Sequence, residues 1–162
     1  MRIVHWLFVV STALFISGIG FIVVGAKTAR QAPPAVEAPA VTPVASTRQV
    51  MVGIVSPAAG AIFDSVATIV SVAGIEERQP RTDAEWAAVG ASAAALVESA
   101  NLLVTGDRAV DRGDWVTMSR AMADAGMTAL KAAEAKSADG ILAAGETINE
   151  TCDNCHEKYQ RS

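Results

Sequence analysis

Along the chain, apolar positions fall first in one unbroken run and later at helical intervals. From Ile3 to Gly25 no side chain carries a full charge, and His5 is the only one that titrates. At 1.5 Å per residue, a helix over residues 1–26 spans the roughly 30 Å hydrocarbon core of a bilayer. Beyond residue 47 the apolar residues recur every three or four positions, the spacing of a helix with one buried face. A first stretch places Met51, Ile54, Ala58, Ile62, Ser65, Ile69 and Val72 on one stripe, interrupted at Pro57 and stopped by Gly74 and the polar run Glu76–Pro80. A second opens on Thr82-Asp83-Ala84-Glu85, a capping box, and aligns Trp86, Val89, Ala93, Leu96, Ala100 and Leu103. A third, from Asp114 as N-cap to Lys136, aligns Trp115, Met118, Met122, Ala125, Ala129 and Ala133. A fourth starts at Ser137 and aligns Ile141, Gly145, Ile148, Cys152, Cys155 and Tyr159. No strand-like alternation of useful length appears. The pattern predicts an all-α domain: an antiparallel up-down-up-down four-helix bundle with short connections, preceded by a transmembrane or signal helix.

The pattern divides the chain into residues 1–26, an apolar anchor or signal; residues 27–46, a tether rich in Pro and Ala; and residues 47–162, the helical domain. The tether, with Pro33, Pro34, Pro39 and Pro43, favours extended chain over helix. Val24-Gly25-Ala26 offers small residues where a signal peptidase cuts, which would leave a soluble exported protein. The apolar run exceeds the usual length of a secretion signal, and a tether directly after it makes sense for a retained anchor. Retained anchoring is therefore the preferred reading. Trp6 and His5 suit the membrane interface. Lys27 and Arg30 lie just after the span and weakly oppose export of the helical domain.

Composition adds little to this outline but narrows the function. Hydrophobic residues make up 51% of the chain and aromatics 5%, which suits closely packed helices rich in Ala. Residues 1–46 hold three of the basic and one of the acidic side chains. The helical domain is left with ten basic and sixteen acidic groups, a net charge of −6. An acidic domain without a basic patch argues against nucleic-acid binding.

The candidate chemistry is concentrated in Thr151-Cys152-Asp153-Asn154-Cys155-His156. Cys-x-x-Cys-His is the attachment motif of haem c. Thiols three residues apart share a helix face and can each bond one vinyl group of a single haem, while the next residue supplies an axial imidazole. Other readings of the pair fit less well. A disulfide between i and i+3 of a helix is strained. A redox dithiol sits at a helix N-terminus, where the dipole lowers a thiol pKa, and this pair lies near a C-terminus. Zinc lacks ligands, since the domain has two Cys and one His. No Ser/His pair, paired acid–base site or phosphate-binding loop suggests catalysis, so the chain reads as a non-enzyme.

A C-terminal Cys-Asp-Asn-Cys-His-Glu-Lys-Tyr closing four helices resembles the class II cytochromes c, the cytochromes c′ and their low-spin relatives, over about residues 46–162. The resemblance implies one covalent haem c on Cys152 and Cys155 with His156 on the iron. Arg48-Gln49-Val50-Met51 is similar to the pair of the low-spin members, in which an Arg precedes a Met that binds iron. By that resemblance Met51 is the sixth ligand and Arg48 lies near a haem propionate. Here the Met follows the Arg by three residues instead of four, so the two roles need separate tests. The alternative for Met51 is plain core packing, the usual role of a Met on an apolar stripe. Met118 and Met122 are read as packing, and Trp86 and Trp115 as packing against the haem or the core.

The function so implied is transfer of single electrons, with the protein held at a bacterial inner membrane, its haem domain in the periplasm and its redox partner proteins membrane-associated. Family members often pair, which adds a homodimer to the partners to test. The alternative is a five-coordinate haem module that binds small gases such as NO or CO.

Overall fold

The computed structural model describes residues 2–31 and 42–160. The chain divides into two units, Met1–Ala40 and Val41–Ser162. In the first, α1 (Arg2–Gln31) is one helix, and its Arg2–Ile22 part is long and apolar enough to cross a membrane. The helix extends past the expected boundary at residue 26. The rest of the expected tether, up to residue 41, lies outside the described residues.

The second unit is mostly helical. The helix α2 is built from three consecutive segments, Thr47–Val50, a π turn at Met51–Val55, and Ser56–Ser65. It is followed by strands β1 (Ala67–Ser71) and β2 (Gly74–Arg78), then α3 (Asp83–Leu103), a 3₁₀ turn at Gly106–Arg108, α4 (Asp114–Glu134) and α5 (Ala138–Tyr159). The helices pack in a ring, α2 on α3, α3 on α4, α4 on α5 and α5 back on α2. Contacts at the ends show α3 and α4 antiparallel. Lys136, just past α4, pairs with Asp83 at the start of α3 at 2.7 Å, and Trp115 at the start of α4 donates its indole N–H to the Leu103 carbonyl at 2.8 Å.

Each helix begins and ends for local reasons. Ser46 and Gln49 form a capping box at α2, and Thr82 and Glu85 form the expected one at α3. Ser137 caps α5 by accepting the Gly140 N–H. The expected cap of α4 is corrected. Asp114 is the first helical residue, and Asp111 does the capping instead, its Oδ1 accepting the N–H groups of Gly113 at 2.8 Å and Trp115 at 3.1 Å. Asp111 lies far enough upstream to reach back over the first turn, whereas Asp114 points outward to an ion pair with Lys158.

The core is one cluster drawn from all four helices. Ile62, Leu96, Ile141 and Ile148 are its largest fully buried members, and Ala93, Ala129 and Ala144 fill the close contacts between them. Each fully buried Leu or Ile contributes about 1.5–3 kcal/mol relative to exposure. All six residues of the α3 stripe are buried as expected. Helix α3 is also long and apolar enough to cross a membrane, but its apolar face is already taken up by this core.

Two features depart from the sequence pattern. The first helical stripe ends at Ser65, not Val72. Residues 67–78 form an antiparallel hairpin that pairs Ala67 with Arg78 and Ser71 with Gly74. The β-branched run Val66, Thr68, Ile69, Val70 and Val72 favours extended chain, and Gly74 turns it at φ +128°. Ile69 and Val72, three apart, mimic a helical step. Within α2, the residues that face inward are Val50, Val55, Ala58, Ala59 and Ile62, while Ile54 turns outward. The Ser56 N–H bonds to the Met51 carbonyl, one residue further back than in an α-helix, so the inward face passes from position 54 to position 55. Pro57 does not end the helix. It occupies the first turn of the Ser56–Ser65 segment, where a missing N–H costs little.

The domain also begins before residue 47. Arg108 donates from Nε to the Ala45 carbonyl at 2.8 Å and from Nη1 to Leu102 at 2.9 Å. Gly106, at φ +67°, lets Pro43 lie where a Cβ would meet it at 2.5 Å. Residues 43–45 are thus stitched to the loop between α3 and α4.

Candidate functional site

The last two turns of α5 carry Cys152, Cys155 and His156. The helix is unbroken through the motif, closing with the Gln160 N–H on the His156 carbonyl at 2.9 Å. Spacing of three sets the two sulfurs on the inward side, where both are half-buried free thiols, while His156 is exposed at the rim. Burial pushes both thiols above their ordinary range, and at Cys152 the charge of Asp153 adds to it. A redox dithiol requires the opposite shift.

Both cysteines and His156 line one cavity of about 300 Å³. This volume is at the lower end of the range for small-molecule sites. Its wall on α2 consists of Met51, Val55, Ser56, Ala59, Gly60 and Phe63, its wall on α4 of Met118, Ser119 and Met122, and Leu103 of α3 closes it. Small residues on α2 leave the space, and a Cβ built on Gly60 would meet nothing within 4 Å. The lining is mainly apolar. Ser119, buried, donates its hydroxyl to the Trp115 carbonyl at 2.8 Å.

Met51 reaches this cavity from the π turn and packs partly buried against the core. It therefore shares a space with His156, though the two lie more than a hundred residues apart in sequence. Met118 and Met122 line the same cavity, and Met122 is also buried in the core. Arg48 stands apart: its side chain is exposed and is not among the lining residues. Trp86 and Trp115 are buried in the core and do not line the cavity.

A second group braces the motif from outside, and of its members Asp111 is the one the sequence pattern does not single out. Tyr159 donates its hydroxyl to Asp111 Oδ2, and its ring meets Trp115 edge-on with centroids 5.0 Å apart. Lys158 pairs with Asp114. The bond to Asp111, then burial, push the Tyr159 hydroxyl up to about 12, and the same bond holds the Asp111 carboxyl below the usual carboxylate range.

Among the described residues no three His, Cys, Asp or Glu side chains converge to hold a metal ion. Comparison with protein-family models, with curated proteins and with solved structures finds no match for this chain.

Proposed function

We propose that this chain is a c-type cytochrome of the class II kind, an up-down-up-down four-helix bundle tethered to a bacterial inner membrane and facing the periplasm, which passes single electrons through one covalent haem. One observation carries the reading: both thiols and the imidazole of a Cys-x-x-Cys-His motif line a single apolar cavity inside the ring of helices. The donor set fits haem c. Cys152 Sγ and Cys155 Sγ would each form a thioether with one vinyl group, the thiol hydrogen passing to the other vinyl carbon. His156 would offer a ring nitrogen to the iron. When bound, haem supplies an iron that alternates between Fe(II) and Fe(III).

The remaining residues set the conditions for that exchange. The apolar walls on α2 and α4 exclude water, and a low dielectric around the site favours the less charged state of a bound group. Met51 would offer its thioether to the iron, a soft donor that raises the potential of a haem iron. Arg48, one turn earlier on the exposed side of α2, offers a guanidinium to a propionate. The apolar helix α1, retained as an anchor, would keep the domain close to membrane-bound redox partners and raise their effective concentration.

The test is to produce the full chain in an exporting host that attaches haem c. A haem-stained band that survives a denaturing gel and disappears in the Cys152→Ala/Cys155→Ala variant is expected. A colourless chain from such a host refutes the reading. Oxidised and reduced spectra with and without carbon monoxide then separate the two haem functions. A low-spin spectrum indifferent to carbon monoxide supports electron transfer with a sixth ligand, and a high-spin spectrum that shifts at once makes the chain a gas-binding module. Retention of the band in washed membranes tests the anchor.

A further inference from the structure

The haem motif sits on the last turns of a helix, where a helix end ordinarily frays. Here the end is fastened. Asp111 uses one carboxylate oxygen to cap α4, accepting the Gly113 and Trp115 N–H groups, and the other to accept the Tyr159 hydroxyl. Tyr159 stands one turn after His156 on α5 and meets the Trp115 ring edge-on. Trp115 is itself buried and fixed by its indole bond to the end of α3. One carboxylate thus links the start of α4 to the end of α5, and through Trp115 to the end of α3. None of Asp111, Trp115 or Tyr159 lines the cavity, so the linkage is separate from the binding surface.

We propose that Asp111 and Tyr159 are positioning residues for the haem ligand: their bond clamps the final turn of α5, and so fixes the direction in which His156 presents its imidazole to the cavity. The inference rests on the haem reading above. It adds that ligand geometry in this chain is held by a latch between helix ends as well as by the two thioethers. A carboxylate acceptor gives the latch a charge-assisted bond, stronger than one between neutral groups. The edge-to-face contact fixes the ring that carries the hydroxyl. The Lys158–Asp114 pair spans the same two helices but is exposed, where ion pairs hold little. It therefore serves as a control.

The experiment compares the full haem-loaded chain with Tyr159→Phe and Lys158→Ala. Tyr159→Phe keeps the ring and deletes only the hydroxyl. Amide hydrogen exchange over residues 156–160 is expected to quicken by about tenfold in Tyr159→Phe, and the axial-ligand features of the visible spectrum to change, while haem stays covalently attached on a denaturing gel. Lys158→Ala should leave exchange and spectrum as in the wild type. Wild-type exchange and spectrum in Tyr159→Phe overturn the latch, as does an equal change in Lys158→Ala. If the wild type itself carries no haem, the haem reading fails, and the exchange comparison on the colourless chain still decides whether the latch exists.

Discussion

The chain has a single tyrosine, so the state of the latch can be read directly. A free tyrosine ionises near 10, whereas Tyr159 is pushed up to about 12. The chief cause is its hydrogen bond to Asp111, followed by partial burial and the negative charges of Asp111 and Asp114. The perturbation is Asp111→Asn, which leaves an oxygen to cap α4 but removes the charged acceptor facing the hydroxyl. The ultraviolet absorption of tyrosinate, taken against Tyr159→Phe to subtract haem and tryptophan, should rise near pH 12 in the wild type and return towards 10 in Asp111→Asn. The sign is set by the proton. The bond favours the neutral hydroxyl, so its stabilisation is complete below pH 10 and is lost as pH rises from 10 towards 12. Circular dichroism at each pH ensures that only folded protein is compared. Ionisation near 10 in both folded proteins would refute the assignment of that bond.

The same structure gives four further expected outcomes. Asp111, held low first by Tyr159 and then by backbone N–H groups, adds stability above its ordinary value of 3.8 that is lost as pH falls through the lowered one. The acid-unfolding difference between wild type and Asp111→Asn should accordingly shrink below about pH 4. Met51→Ala should convert a low-spin spectrum to a high-spin, carbon monoxide-binding one and lower the midpoint potential; an unchanged spectrum makes Met51 plain core. Leu96→Ala, at a fully buried position, should cost about 2–5 kcal/mol in urea unfolding. Trp115→Phe leaves the Leu103 carbonyl without its buried donor, a loss of about 1–3 kcal/mol by the same assay.

The stripe on α3 is legible in the sequence residue for residue because its capping box fixes the register and no Pro disturbs the 3.6-residue repeat. The motif on α5 is legible because Ser137 caps a helix that no Pro disturbs, and helical spacing puts Cys152 and Cys155 on the inward side, where the structure has them. Helix α2 is harder to read. Its π turn is a backbone event with no side-chain signature, so periodicity points inward at Ile54 when Val55 takes that place. The hairpin escapes the pattern because Ile69 and Val72 fall at a helical interval while the β-branched residues around them favour extended chain. The Asp111–Tyr159 bond joins residues 48 positions apart, and no local pattern marks such a pair. Asp111 is recoverable in part, as an Asp two residues before a Gly that precedes a helix, which is a turn-forming arrangement.

A π turn, with one residue too many, is equivalent to a single insertion into an α-helix, and it divides α2 into two rotational frames. Ala58, Ala59 and Ile62 are set by the core, whereas Arg48 and Met51 are set by that core frame plus one residue, an offset of about 100° around the axis. Gain or loss of one residue between Met51 and Val55 therefore swings the N-terminal part of the helix around the axis while Ile62 stays in place. In this architecture the face shown to the cavity is adjustable by chain length alone, with no change to the residues that hold the domain together.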